Sequence, residues 1–128
     1  VSGASLYISK GFGRFASDAE IDDQSLLDIA SEVENGQVDA DLGGALFKKR
    51  VRRKGQGKSS GYRVIVIFKR EKRIFFIYGF PKSSKATLSP KELRAFKHLA
   101  DELLDLSEDQ MKKAVESGAF RQLPREEK

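Results

Sequence analysis

The spacing of apolar positions changes twice along the chain, from helical to strand-like and back. Leu26, Ile29, Ala30 and Val33 fall at i, i+3, i+4 and i+7, and this apolar stripe predicts a helix over Asp22 to Gly36. Asp22 or Asp23 can cap its start, and Asn35-Gly36 supplies a left-handed stop. From Leu46 to Pro81 the helical period is gone. A first run carries Lys48, Lys49, Arg50, Arg52 and Arg53. Two more runs, Tyr62 to Lys69 and Ile74 to Phe80, are apolar on both faces and are separated by Arg70-Glu71-Lys72. Runs of this kind with polar connections predict an antiparallel meander whose last two strands are covered on each side. Helical spacing returns at Leu93, Phe96, Leu99, Ala100, Leu103 and Leu104. Ahead of it stands Ser89-Pro90-Lys91-Glu92, with serine as cap, proline at the first helical position and glutamate at the third. Ser107-Glu108-Asp109-Gln110 is a second capping box and opens a short helix through Val115.

The ends of the chain are less determined. Leu6-Tyr7-Ile8 suits a short edge strand, Phe12 and Phe15 can share one face of a short helix, and Phe120 to Leu123 suits one more strand. Asp39 to Gly44 reads as a polar connection, and Pro124 to Lys128 as a frayed tail. No repeat, low-complexity tract or linker divides the sequence. With 128 residues there is enough chain for a real core. The expectation is an α+β fold, a single domain over residues 1–128. It has a mainly antiparallel, twisted sheet of about four to five strands packed with N-terminal and C-terminal helices.

Charge changes the picture because it is unevenly placed. The net charge is +5, from 24 Lys and Arg against 19 Asp and Glu. Between Lys48 and Lys85 there are fourteen Lys and Arg, and the one acid is Glu71. Such asymmetry points to a polyanionic partner. The plainer reading is a solvated edge strand that uses lysine against aggregation. With no cysteine, disulfides, thiol catalysis and Cys-ligated zinc are excluded. The lone His98 reads as a surface or boundary residue of its helix, so neither metal nor cofactor is expected. No apolar run approaches the roughly 20 residues of a membrane span. No signal-peptide pattern occupies Val1 to Phe15, which makes the cytoplasm the expected location. Gly55-Gln56-Gly57-Lys58-Ser59 looks like the tail of a phosphate loop. However, Arg52 stands where that motif needs glycine, and a strand follows instead of a helix. A hairpin loop with a cationic tip fits better.

At Ser60-Gly61-Tyr62-Arg63-Val64 the order of features becomes specific: helix, basic strand, glycine-containing loop, S-G-Y-R opening an apolar strand, a second apolar strand, then a basic segment and a helix. Asp39-Ala40-Asp41-Leu42-Gly43-Gly44, Lys48-Lys49-Arg50-Val51 and Tyr78-Gly79-Phe80-Pro81-Lys82 agree with it. Over roughly Leu6 to Leu123 the chain resembles the RelE/HigB toxins of type II toxin–antitoxin systems, within the RelE/ParE superfamily. The resemblance implies a compact microbial-ribonuclease-like fold. It also implies cleavage of mRNA on the ribosome, and neutralisation by a cognate antitoxin, usually a helix-turn-helix protein. The alternatives are a non-catalytic nucleic-acid-binding module and a ParE-like protein that inhibits a topoisomerase by contact.

Cleaving RNA through its 2′-OH requires orienting or deprotonating that hydroxyl, neutralising the phosphate, and protonating the leaving 5′-oxygen. The meander offers cations for this work rather than a His/Glu pair. Arg63 matches the arginine of the family's Y-R motif, and a guanidinium can grip phosphate at two points. Strand alternation places Lys48, Arg50 and Arg52 on one face and Lys49 with Val51 on the other. The candidate catalytic set is therefore Arg63, Lys48, Arg50 and Lys82. Lys49, Arg52, Arg53, Lys54, Lys58 and Lys85 are candidate RNA contacts. Tyr62 or Tyr78 can stack on a base. By resemblance, Lys82 and Lys85 lie near the family's C-terminal basic motif, although Ser84-Lys85 stands where the family often has Glu-Arg. The general acid and base remain open.

Overall fold

The structure, a computed structural model, describes residues 4–52, 61–69, 73–83 and 87–125. In chain order its elements are β1 (Ser5–Ser9), α1 (Lys10–Asp18), α2 (Asp23–Glu34), β2 (Ala40–Gly43), β3 (Leu46–Val51), β4 (Tyr62–Lys69), β5 (Arg73–Pro81), α3 (Pro90–Leu104), α4 (Glu108–Glu116) and β6 (Phe120–Leu123). The fold is α+β. Its six-stranded sheet runs β2-β3-β4-β5-β1-β6. All neighbours are antiparallel except β1 and β5, which are parallel.

The continuous apolar runs of β4 and β5 have a direct cause. Val64 and Val66 point into one core with Phe12, Leu26, Ile29 and Phe76, beneath α1 and α2. Ile65 and Ile67 point into a second core with Phe75, Ala100, Leu103 and Met111, beneath α3 and α4. Both faces exclude water, so no polar alternation is needed. Each helix starts on the side-chain cap its sequence supplies. Asp22 accepts from Ser25 N–H, and Ser89 and Ser107 each form a full capping box. Gly36 stops α2 with φ +81°.

Three expectations change. Leu6–Ile8 is not at an edge: β1 lies between β5 and β6, and Leu6, Tyr7 and Ile8 are buried. Its shortness suggested an edge, but parallel pairing with β5 leaves its other side open for β6. The connection before the basic run contains strand β2, which periodicity missed because one half-exposed leucine sits between Asp41 and Gly43. The strand is fixed instead by its turn, where Gly43, Gly44 and Ala45 have φ of +85°, +61° and +68°. Part of the tail is also tied down. Arg125 donates to Glu34 Oε1 at 2.5 Å and to the Ala4 carbonyl at 2.9 Å, while Ala4 N–H donates to Glu34 Oε2 at 2.8 Å. Burial pushes the Glu34 carboxyl up. The Arg125 hydrogen bond, the Ala4 N–H and the Arg125 charge outweigh burial and hold it below the ordinary range.

Candidate active site

Register decides which cations meet. Lys48, Ile65 and Tyr78 form one row across β3, β4 and β5, and Arg50, Arg63 and Phe80 form the next. Residues directly opposite share a face, and Ile65, Tyr78 and Phe80 belong to the α3-side core. Lys48, Arg50 and Arg63 therefore stand together on that face, beside the start of α3. An irregularity in β5 near Ile65 and Val66 lets both Ile77 and Tyr78 join this core.

Arg50 and Arg63 face each other directly across β3 and β4. The Arg50 N–H donates to the Asp39 carboxylate on the β2 side, so its backbone turns away from β4. Arg50 and Arg63 thus form a non-hydrogen-bonded pair, the kind whose side chains stand closer. Like charges directly opposite destabilise a sheet. Arg63 is only 7% exposed, and its hydrogen bond is a long one, 3.5 Å, to the Tyr62 carbonyl. Among the described residues, Lys48, Arg50, Arg52, Arg63 and Lys82 make no ion pair. Arg63 is thus a buried arginine at the start of a strand. Arg73 shows what a structural arginine looks like in the same sheet. Equally buried, it donates to the Leu103 and Leu106 carbonyls and to Glu108.

Other candidates separate from this pair. Lys49 lies on the α2 side, tied to Glu32 at 3.1 Å and to the Gln37 carbonyl at 2.8 Å. Tyr62 also faces the N-terminal helices, edge-on to Phe15 at 5.5 Å. Tyr78, in contrast, is on the cationic face, its ring tilted against Phe96 at 5.2 Å and its hydroxyl donating to Glu92 Oε2 at 3.4 Å. Sequence gave Glu92 only a capping role, because nothing in it could register α3 against β5. Arg52 is exposed just past β3, and Lys82 is exposed just past β5, its N–H donating to the Gly61 carbonyl at 3.1 Å. Arg53, Lys54, Lys58 and Lys85 lie outside the described residues, as does the glycine-rich loop. Among the described residues no cluster of His, Asp and Glu could hold a metal ion.

A cavity of about 130 Å³ is lined by Arg50, Val51, Arg52 and Gly61, at the sheet end where the cations gather. A larger cleft of about 380 Å³ sets Asp28, Glu32 and Asp39 among Lys49, Arg50 and Arg52. Its mixed charge suits a polyanion less well. Gly61 keeps the smaller cavity in shape, since a Cβ there would come within 2.6 Å of the Val51 carbonyl oxygen. Backbone cannot yield as a side chain can. We expect Gly61→Ala to lower stability by about 1–3 kcal/mol, measured by urea melts. A melt superimposable on the parent's would show that the strand ends separate freely.

The family model described as RelE toxin of RelE / RelB toxin-antitoxin system matches residues 5–123. The chain belongs to the RelE toxin family. It is thus a toxin of a toxin–antitoxin system, and RelE toxins pair with an antitoxin. No curated protein matches it. The match spans every strand and helix described above, so the RelE fold accounts for the whole sheet with its helices. No helix described is long and apolar enough to cross a membrane.

Proposed function

We propose that this RelE toxin is an endoribonuclease that cuts translated mRNA on the ribosome and acts in the cytoplasm as one domain. A helix-turn-helix antitoxin would neutralise it. The observation that carries the reading is the Arg50–Arg63 pair, two arginines directly opposed across β3 and β4 that make no ion pair among the described residues. A bound phosphate turns that repulsion into attraction. As the 2′-oxygen attacks phosphorus, charge builds on the phosphoryl oxygens, and the two guanidiniums stabilise it more than they stabilise the ground state. Lys48 and Lys82 flank the pair, and Arg52 continues the line of charge. The family's character as ribonucleases supports the same reading.

The test is induced expression without antitoxin. New mRNA 5′ ends should arise inside translated regions and methionine incorporation should fall, while DNA supercoiling stays normal. Early loss of supercoiling with intact mRNA would replace this reading with topoisomerase inhibition by contact. RNA binding by the purified protein should weaken steeply with salt, because each neutralised phosphate releases counterions.

A further inference from the structure

Lys97 lies on α3, over the hairpin that joins β2 to β3. Its stem packs on the two glycines there. A Cβ on Gly44 would sit 3.5 Å from the Lys97 Cγ, and one on Gly43 would sit 3.3 Å from its Nζ. Both glycines have positive φ, so the turn favours residues without side chains and leaves the lysine in place above it. Lys97 is half-buried, and among the described residues it makes no ion pair. Asp41, the acid on the same hairpin, is turned onto the Gly43 N–H at 2.9 Å. A half-buried ammonium held without a carboxylate is set up to meet an anion.

Its place relative to the cationic pair is fixed by register. Gly43 pairs with Leu46, and Leu46, Lys48 and Arg50 point to the α3 side, each two residues from the next. Side chains two residues apart on a strand are about 6.7 Å apart, on the order of one phosphate-to-phosphate step of an extended nucleic-acid strand. Lys97 therefore stands at the far end of a line that continues through Lys48 to Arg50 and Arg63. One wall of that line is α3, whose Leu93 and Phe96 close onto the sheet. A single row of cations with a helix along one side fits one backbone rather than two.

We infer that Lys97 is the outer post of a linear phosphate track along β3, which takes an extended single strand of RNA with its reacting phosphate at Arg50–Arg63. This rests on the RNA-binding reading above. The test is binding of labelled 2′-O-methyl RNA, which 2′-OH attack cannot cleave, as an octamer and as a dinucleotide, across a salt series. Lys97→Met keeps the stem on the glycine turn and removes the charge, whereas Lys97→Arg keeps the charge. Lys97→Met should bind the octamer about tenfold more weakly at low salt, with a salt slope smaller by about one. Dinucleotide binding should be unchanged, because that ligand reaches only Arg50 and Arg63, and Lys97→Arg should bind the octamer like the parent. The track is overturned if Lys97→Met binds the octamer with the parent's affinity and slope, if it loses both ligands equally, or if Lys97→Arg fails as well. A parent protein that binds neither RNA would overturn the functional reading itself, a result distinct from all of these.

Discussion

Arg63→Met should give a folded toxin whose mRNA cleavage is reduced by on the order of 10²-fold or more. Methionine is the informative change because Arg63 is 7% exposed. Alanine would remove packing together with charge, and a loss of activity could then be a loss of structure. Methionine keeps much of the stem's volume. It also removes one of two opposed cations, so the free protein should be more stable by a few tenths of a kcal/mol. Activity and stability would then move in opposite directions, a combination that mere misfolding cannot produce. Arg63→Lys should recover part of the activity, since an ammonium restores the charge but not the two-pronged grip on phosphate. Antitoxin binding need not fall in parallel, because a partner surface is larger than one residue. The measurement is growth arrest and mapped mRNA ends for each variant, alongside urea melts. Full toxicity in Arg63→Met would remove the assignment and leave Lys48 and Arg50 as the first candidates.

Arg73→Met should do the reverse, lowering stability with little effect on cleavage in the protein that remains folded. Its guanidinium donates to the Leu103 carbonyl at 3.1 Å, the Leu106 carbonyl at 2.7 Å and Glu108 at 3.2 Å. The ion pair itself contributes little, since the Glu108 side chain is 93% exposed. The carbonyls matter more. They lie where α3 ends and turns toward α4, and without Arg73 they lose a charged donor in a largely dry place. Together these losses amount to about 3 kcal/mol, or on the order of 10 °C in Tm for a chain of this size. Thermal melts decide it. A shift of only a degree or two would mean that water replaces the guanidinium at both carbonyls.

The two arginines mark how far the sequence could be read. Periodicity and caps located α2, α3 and α4, and the two-sided apolar runs located β4 and β5, because each signal is local. Alternation correctly put Lys48 and Arg50 opposite Lys49 and Val51, since a strand's period leaves one choice. What stayed hidden depends on partners far along the chain. Arg63 and Arg73 look alike in sequence, each opening an apolar strand, yet one meets carbonyls of the α3–α4 corner and the other meets a second arginine. Strand β2 was missed because a glycine turn, not an apolar pattern, defines it. Lys97 had no signal at all, since its significance comes from the two glycines beneath it. Glu92 was legible as a cap and illegible as the partner of Tyr78, because the irregularity in β5 that brings Tyr78 to the α3 side leaves no mark in composition.

The place of β1 between β5 and β6 bears on the order in which the toxin can assemble as it is made. The meander β3-β4-β5 joins neighbours in sequence, and its pairings close short loops. Leu6 pairs with Leu123, so β6 completes a ladder with β1 across most of the described chain. Closing so long a loop is the entropically demanding step. Until it happens, β1 has an unpaired edge and the core under α1 and α2 lacks Leu123. The pairing that sets the cations of β3 and β4 therefore needs only strands close in sequence, whereas the sheet that holds them becomes whole only once β6 has joined β1.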